Sequence, residues 1–427
     1  MRFAVMAAVC SVALAGCAPV TSSGPATQTG DEKTGQLRVW LFDEVNRAPK
    51  EEVVEQAVAE FQSAHSGVTV DVQYIQVATR AERFKAAFSD PKSAPDVAEF
   101  GNTDLAGYVA SGGFADIGEE VSEWSDSKDF VPAVLDTAKV EGKVYGLPWY
   151  VGVRALYYRT DVFTELGVQP PATLDEIAPL ARKIRAAKPD MLGISAGGKY
   201  TFGMLPFVWA NGGDLAAVEG AKYASKIDSA ESRKGVAKYT ELLADDICPP
   251  SQCAANGGDA SVEAFRAGKA AMVIGGDFNR KSVDASAAAG KYAVVPLPGN
   301  TAGSIAPAFA GGNLLGVMKG TGRRTLANQF LQLLGGKQYQ RKMFQAMGNL
   351  PTFADVQSEV AANDAFEQPF IKTLEAGTKF VPVTPTWAKI DAQAVIPTML
   401  QQIAAEGKDV EAATGAAAES MNAAFNS

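Results

Sequence analysis

The stretch Leu37-Arg-Val-Trp-Leu-Phe42 is a compact apolar segment of strand length, and the residues that follow it set the fold class. Apolar side chains recur at helical spacing over 53–61, alternate as in a strand over 68–75, and return to helical spacing over 80–88. A further strand-like segment follows at 95–100. Strands separated by helical segments predict βαβ units, and therefore an α/β fold with a mainly parallel sheet.

A second α/β region begins near residue 148. It contains helical patterns at 174–187 and 229–243, a strand-like segment at 270–274, and a helical tail over 365–425. The chain has 427 residues, which at roughly 100–200 residues per domain is enough for two or three domains.

Polar side chains follow two strands of the first region. Asp43 and Glu44 come after the first strand, and Asn102, Thr103 and Asp104 come after the third. Ligands of parallel sheets bind beyond the carboxyl ends of the strands, so these residues are candidates for a binding site. The sequence does not choose between Asp43 and Glu44.

Composition excludes several functions. The 39 Lys and Arg residues are outnumbered by 48 Asp and Glu, giving a net charge of −9, and no basic run is present. Nucleic acid is therefore not an expected partner. The segment Gly193-Ile-Ser-Ala-Gly197 matches a hydrolase nucleophile motif, but the single histidine, His65, lies upstream of it. The motif needs a histidine after the serine, so no hydrolase triad can be assembled and we expect no catalytic residues. A single histidine also argues against a His-rich metal site, and we expect neither a metal site nor a cofactor.

The N-terminus is typical of an export signal. After Arg2, residues 3–15 form an apolar run interrupted only by Ser11, too short for the roughly 20 residues of a membrane span. It ends in Leu14-Ala15-Gly16-Cys17, which resembles a bacterial lipobox. The resemblance implies a signal peptide over 1–16 and a lipid on Cys17 that anchors the protein to the outer side of the bacterial cell membrane. Residues 17–36 are expected to form a flexible tether, because 21–36 are rich in Ser, Thr, Gly and Pro. An ordinary signal peptide with a chance cysteine is the alternative.

Two further cysteines remain after the leader is removed. Cys248 and Cys253 lie in the short segment Cys-Pro-Pro-Ser-Gln-Cys. Disulfides persist outside the cytosol, so we predict a bridge between them, with free thiols as the alternative. A metal site would need more ligands nearby.

Several blocks, taken in order, resemble one known family. They are Ala94-Pro-Asp-Val-Ala-Glu-Phe-Gly-Asn-Thr-Asp104, Gly112-Gly-Phe-Ala-Asp-Ile117, Val144-Tyr-Gly-Leu-Pro-Trp149, Ala264-Phe-Arg-Ala-Gly-Lys-Ala-Ala-Met272 and Phe309-Ala-Gly-Gly-Asn313. From about residue 37 to the C-terminus, the chain is similar to the extracytoplasmic solute-binding lipoproteins of carbohydrate ABC importers, the family that includes maltose-binding protein.

The resemblance implies a two-lobe periplasmic-binding-protein fold of type II with three crossovers. The expected crossovers lie at 148–154, 296–305 and 348–353, with lobe one at 37–148 plus 304–348 and lobe two at 152–298 plus 354–427. It also implies a monomer that holds a neutral mono- to oligosaccharide between its lobes. The sugar, of a di- or oligosaccharide type such as chitobiose, maltose or trehalose, would be passed to an ABC permease.

Sugars need aromatic rings for their C–H faces and polar side chains for their hydroxyls. Besides Asp43, Glu44, Asn102 and Thr103, the resemblance places Trp149, Tyr150, Tyr200, Asp277, Phe278, Asn313 and Trp387 in the binding site. Core packing is the alternative for each aromatic residue. For Arg154 we favour a structural role over ligand contact.

Two other functions stay open at this point. An exported carbohydrate-active enzyme would need a buried pair of carboxyl groups with shifted pKa values in the cleft. A receptor of the same fold could also bind a solute without taking part in transport.

Overall fold

The structure is a computed structural model that describes residues 30–44, 47–90, 93–220 and 222–427. Cys17 and the expected signal peptide lie outside the described residues, as does most of the expected tether. Among the described residues, no helix combines the length and the apolar character needed to cross a bilayer.

Strands and helices alternate along both halves of the chain. The strands are β1 (Gly35–Asp43), β2 (Val68–Gln76), β3 (Val97–Gly101), β4 (Lys139–Val140), β5 (Lys143–Val144), β6 (Leu147–Gly152), β7 (Arg154–Arg159), β8 (Ala216–Glu219), β9 (Lys222–Ser225), β10 (Met272–Gly276), β11 (Tyr292–Val295), β12 (Ala308–Phe309), β13 (Gly311–Val317) and β14 (Thr378–Lys379). The helices are α1 (Ala48–Ala64), α2 (Arg80–Ser89), α3 (Leu105–Ala110), α4 (Gly118–Glu123), α5 (Pro132–Asp136), α6 (Thr160–Leu166), α7 (Leu174–Ala187), α8 (Thr201–Ala210), α9 (Ala230–Glu241), α10 (Pro250–Cys253), α11 (Gly258–Arg266), α12 (Arg280–Asp284), α13 (Arg324–Leu334), α14 (Lys337–Met347), α15 (Ala354–Asn363), α16 (Gln368–Ala376), α17 (Trp387–Ala392), α18 (Val395–Glu406) and α19 (Val410–Phe425).

The first lobe is built on a five-stranded mixed sheet with the order β2-β1-β3-β13-β6. The pairs β1–β2 and β1–β3 are parallel, whereas β13 runs antiparallel to both β3 and β6. The second lobe contains a smaller sheet, β10-β7-β11, whose pairs are antiparallel. The prediction of a mainly parallel sheet is therefore too simple. A strand that returns from the other lobe is not constrained to the parallel direction by a local βαβ connection.

Side-chain alternation along β1 divides the first core between the two faces of its sheet. Leu37, Val39 and Leu41 pack on one face, and Trp40 and Phe42 pack on the other. The period of two in a strand gives this division directly. The first face is covered by α1, α13 and α14, and the second by α2 and α3.

Helix α1 shows how the sequence produces this packing. Val53, Val54, Ala57 and Phe61 recur every three or four residues and are all buried, which places them on one face of the helix. The ring of Phe61 meets that of Phe330 edge to face, with centroids 5.2 Å apart. Burying one such side chain contributes about 1.5–3 kcal/mol.

The second core contains the sheet β10-β7-β11 and the helices packed around it, including the C-terminal ones. Cys248 and Cys253 lie in this core, and neither side chain is exposed. Their Cα atoms are 5.9 Å apart and their sulfur atoms are joined in the structure.

The chain passes between the two cores three times. Trp149 packs in the first core and Val153 in the second. The first crossover, expected at 148–154, stays a prediction that this packing favours. Residues 306–310 still pack in the second core and Leu314 packs in the first. The expected crossover at 296–305 stays a prediction, and the packing favours a passage between residues 310 and 314. Near the third expected crossover, Leu350 packs in the second core, Phe353 and Val356 pack in the first, and Val360 packs in the second.

Candidate functional site

A cleft of about 530 Å³ separates the two lobes. It lies beyond the ends of β1 and β3 on the first lobe, and between β7 and the turn after β10 on the second. Its lining includes Glu44, Arg80, Asn102, Thr103, Asp104, Tyr150 and Asn313 from the first-lobe side, and Arg154, Phe202, Asp277, Phe278 and Phe309 from the other side. The strand ends that the sequence singled out therefore meet in one place.

Glu44, and not Asp43, lines this cleft. Asp43 is the last residue of β1, and its carboxylate accepts a hydrogen bond of 2.7 Å from Nε2 of Gln76, its neighbour on β2. The structure thus favours Glu44 for the ligand contact that the sequence left open between the two. The expectation that Asp43 belongs to the site is corrected.

Beneath Glu44 lies an ion pair that the sequence analysis missed. Nζ of Lys50 is 2.8 Å from Oε2 of Glu99, and the two side chains are 1% and 0% exposed. The ammonium also donates to Oε1 of Glu44 at 3.3 Å. The sequence did contain a signal for this pair, because Lys50 lies on the buried face of α1 and Glu99 interrupts the apolar strand β3.

Glu99 connects this pair to two predicted site residues. Its Oε1 accepts hydrogen bonds from the hydroxyl of Tyr150 at 2.8 Å and from Nδ2 of Asn313 at 2.6 Å. Burial, followed by the charges of Glu99 and Glu44, raises the pKa of Tyr150 well above its ordinary value, so its phenol stays protonated. Tyr150 and Asn313 therefore line the cleft with their positions fixed from below.

The loop after β3 supplies the neighbouring part of the same wall. Asn102 is buried and donates through Nδ2 to the carbonyl of Ala310, 3.0 Å away. Thr103 lines the cleft. Asp104 is paired with Arg80, whose Nε lies 2.8 Å from its Oδ2. The charges of Arg80 and Asp104 therefore compensate each other, which leaves this part of the wall close to neutral.

The second-lobe wall is aromatic and carries one guanidinium. Phe278 is 42% exposed, which is unusual for a large apolar side chain beside a cleft. The guanidinium carbon of Arg154 lies 5.1 Å from the ring centre of Phe202 and 5.7 Å from that of Phe278. Tyr200 is buried behind them, where its hydroxyl accepts a hydrogen bond of 2.8 Å from Nε of Arg154. The expectation that Tyr200 lines the cleft is corrected.

Asp277 borders the cleft but is only 1% exposed. Its Oδ1 accepts the backbone N–H of Val153 at 2.9 Å, and its Oδ2 accepts that of Leu350 at 3.4 Å. Burial raises the pKa of Asp277 to about 7, although the backbone hydrogen bonds act in the opposite direction. Its two oxygens accept N–H groups from the first and third segments that join the lobes. We therefore assign Asp277 a structural role at the hinge before any contact with ligand.

Two tryptophans predicted for the site lie elsewhere. Trp149 is fully buried in the first core, where the ammonium of Lys50 lies 5.1 Å from its ring centre. Alternation along β6 explains this, since Tyr150 takes the cleft side and its neighbour must point away. Trp387 is 2% exposed and packs in the second core with Ile390. Neither is among the residues that line the cleft, so the structure places both tryptophans in the cores instead of at the expected site.

The residues of a hydrolase triad are not assembled. Ser195 is buried in the second lobe, where it forms a parallel β-bridge with Val273 of β10. His65 stacks on Phe61 in the first lobe, with ring centres 4.0 Å apart. Within the described ranges, no group of three or more His, Cys, Asp or Glu residues is placed to hold a metal ion.

Known proteins resemble this chain over most of its length. The diacetylchitobiose binding protein DasA of Streptomyces coelicolor is 28% identical over 318 residues, 73% of this chain and 72% of that protein. The galactooligosaccharide-binding protein of Bacillus subtilis is 24% identical over 84% of this chain and 81% of its own.

Among solved structures, the sugar-binding protein MalE from Xanthomonas citri superposes with a TM-score of 0.80 at 24% identity, covering 92% of this chain and 98% of that one. This likeness confirms the predicted two-lobe fold with three crossovers. A family described as bacterial extracellular solute-binding protein matches residues 56–368. The match covers well over half of the chain, and the protein therefore belongs to the bacterial extracellular solute-binding family.

Proposed function

We propose that this protein binds a neutral di- or oligosaccharide in the interlobe cleft and delivers it to an ABC permease. The observation that carries the proposal is the half-exposed ring of Phe278, which lies in one cleft with the polar side chains of Glu44, Asn313 and Tyr150. A ring on one side and hydrogen-bonding groups on the other match the two faces of a pyranose. The cleft volume of about 530 Å³ lies in the range of small-molecule sites.

The relatives support the same ligand class. One is named for diacetylchitobiose and another for galactooligosaccharides. The charges in the cleft agree with a neutral ligand. Arg80 is paired with Asp104, and the negative charge of Glu44 is balanced across the cleft by the guanidinium of Arg154. As family members are partners of importers, we propose a monomer that closes on its sugar and docks on permease subunits.

We propose that the protein is not an enzyme. Asp277 and Glu367 are buried carboxyl groups with pKa values raised to about 7 and about 8, burial being the main cause, so they resemble the pair that a glycosidase needs. However, both oxygens of Asp277 accept backbone N–H groups, and Glu367 does not line the cleft. A substrate in the cleft would therefore find no free carboxyl pair.

The location follows from the leader and the family. We propose that the protein works outside the cell membrane, held by a lipid on Cys17 after removal of residues 1–16. The core packing supports lobe boundaries slightly different from those expected. We propose 37–150 plus 313–356 for lobe one and 153–310 plus 360–427 for lobe two.

A sugar panel tests the proposed function. Purified protein would be heated with diacetylchitobiose, maltose, trehalose, lactose and galactooligosaccharides, and the hits measured by calorimetry. A sugar present at 100 times its Kd should add about 2.7 kcal/mol to the free energy of unfolding, and so raise Tm. The same samples, assayed for reducing ends, should show no hydrolysis. The absence of any shift across the panel would contradict the proposal, and turnover would favour the enzyme.

A further inference from the structure

The ion pair of Lys50 and Glu99, here called the buried hub, has a consequence for which ligand groups the cleft accepts. The ammonium of Lys50 donates to the carbonyl of Phe42 at 3.0 Å, to Oε2 of Glu99 at 2.8 Å and to Oε1 of Glu44 at 3.3 Å. An ammonium has three protons, so these contacts use all of them. Glu44 is held through one oxygen, and its Oε2 is left for the cleft.

Glu99 fixes the direction of the neighbouring hydrogen bonds. The carboxylate, paired with an ammonium, can only accept. The amide of Asn313 must therefore turn its NH₂ group toward Glu99, and its Oδ1 is left on the cleft side. This orientation follows from the chemistry of the partners and not from the placement of the amide atoms. For the same reason Tyr150 donates its proton to Glu99, and its oxygen accepts the second N–H of Asn313.

We infer that Lys50 and Glu99 are positioning residues that turn the first-lobe wall into an array of acceptors. The array, defined as Oε2 of Glu44 and Oδ1 of Asn313, requires a ligand that presents O–H or N–H donors to it. The inference rests on the proposed function and deepens it. Sugar hydroxyls act as donors on this wall, and groups that only accept, such as carboxylates, phosphates or a fluorine, are rejected there.

The first test uses the ligand-free protein, so it does not depend on the proposed function. In protein labelled with [¹⁵N]asparagine, the side-chain NH₂ signal of Asn313 would be identified by its loss in Asn313→Asp. We expect both protons to exchange with solvent at least tenfold more slowly than those of the exposed Asn426, because both are bonded to buried partners. Exchange as fast as that of Asn426 would overturn the assigned orientation.

The second test measures donor preference directly. Diacetylchitobiose would be compared with analogues in which one hydroxyl at a time is replaced by hydrogen or by fluorine, which cannot donate. Where a hydroxyl meets the array, both replacements should raise Kd by a similar factor of about tenfold or more, as for hydrogen bonds to charged groups. Fluorinated analogues that bind like the parent at every position where the deoxy analogue is weakened would overturn the inference.

Variants separate positioning from mere stability. The double variant Lys50→Met with Glu99→Gln removes both charges together, which avoids leaving one buried charge unpaired. The Asn313 amide is then free to rotate and present its NH₂ group to the cleft. The ratio of Kd between fluorinated and parent sugar should therefore fall at least threefold, a change that a purely structural role would not cause. The control Arg182→Gln, in a surface ion pair, should keep it. If diacetylchitobiose does not bind, the analogue series is made on a sugar of the panel that does. Should no sugar of the panel bind, the proposed function loses support, and the exchange experiment still decides the orientation of Asn313.

Discussion

The carboxylate of Asp277 accepts the backbone N–H of Val153 at 2.9 Å, which joins the turn after β10 to the first passage between the lobes. Its other oxygen accepts the N–H of Leu350 in the third passage. One buried side chain thus connects two of the three hinge segments to the second-lobe wall of the cleft. The hinge segments are therefore joined at a carboxyl group whose pKa burial raises to about 7.

The raised pKa of Asp277 predicts a stability that falls as pH rises. Its pKa is about 7 when folded, against 3.8 for an ordinary Asp, so between these values only the folded state holds the proton. The unfolded state then binds fewer protons, and the free energy of unfolding decreases by up to about 1.4 kcal/mol per pH unit for this group. Glu367, with a pKa raised to about 8 mainly by burial, extends the window upward.

Urea unfolding of the wild type and of Asp277→Asn at pH 4.5 to 8 checks this prediction. In Asp277→Asn, the decrease of the free energy of unfolding with pH should be smaller below pH 7 by the contribution of one titrating group. In Glu367→Gln, the decrease should be smaller by the same contribution up to pH 8. Parallel curves for all three proteins would contradict the raised pKa values.

The second prediction distinguishes a cleft aromatic from a core aromatic. Phe278→Ala should raise the Kd of the bound sugar about 30- to 1,000-fold, because a stacked ring is lost and water reaches the remaining polar contacts. Its free energy of unfolding should change little, since the ring is 42% exposed. Trp387→Ala should do the reverse and cost about 3–5 kcal/mol of stability by leaving a cavity. Calorimetry and urea unfolding on both variants make the comparison, and the opposite pattern would move the cleft to Trp387.

The aromatic residues also show how far the sequence could lead. Strand ends marked Glu44 and Asn102 as cleft candidates, because the carboxyl-end rule needs only local pattern. Tyr150 came from the family resemblance. The pattern could not place Trp149, since an apolar segment does not show which of its faces meets the core. Trp387 begins a helix whose partners come from distant parts of the chain, and no local signal reports them.

The buried hub lay beyond sequence reasoning for a related reason. Lys50 and Glu99 are 49 positions apart, and each alone reads as an exception in an apolar pattern. Only their proximity in space shows that one charge compensates the other. The packing of residues 306–310 in the second core was out of reach for a similar reason, because these residues are apolar enough for either core.

The third prediction concerns the membrane anchor. If Cys17 carries a lipid, Cys17→Ala should abolish metabolic labelling with a fatty acid and move the protein from the membrane fraction to the soluble fraction. Cys10→Ala, in the part of the leader that is removed, serves as the matched control and should change neither. Labelling that persists in Cys17→Ala would contradict the lipoprotein proposal.

The fourth prediction concerns Cys248 and Cys253, which we propose are bridged in the exported protein. The exported protein, denatured without reductant, should show no free thiol from this pair, and reduction should add two. The bridge closes a very short loop, so its loss in Cys248→Ser with Cys253→Ser should cost less than the roughly 3 kcal/mol of a fifteen-residue loop. Both sulfurs are buried, so the paired substitution also tests packing, and Cys248→Ala with Cys253→Ala separates that effect. Two titratable thiols before reduction would refute the bridge.

The last prediction uses two adjacent carboxylates as a matched pair. Glu44 lines the cleft and contacts Lys50, whereas Asp43 is bonded to Gln76 at the sheet edge. Glu44→Gln removes a charged acceptor from the ligand wall and puts an amide in its place, so the Kd of the sugar should rise about tenfold or more. Asp43→Asn keeps an acceptor for Gln76 outside the cleft, and should change Kd less than twofold. Calorimetry with the same sugar compares the two variants.

Lys50 remains paired with Glu99 in Glu44→Gln, so the fold should persist and a loss of affinity can be assigned to the cleft. Equal effects of the two substitutions would mean that the cleft reads total negative charge at the end of β1, and the assignment of Glu44 as the contacting residue would be wrong.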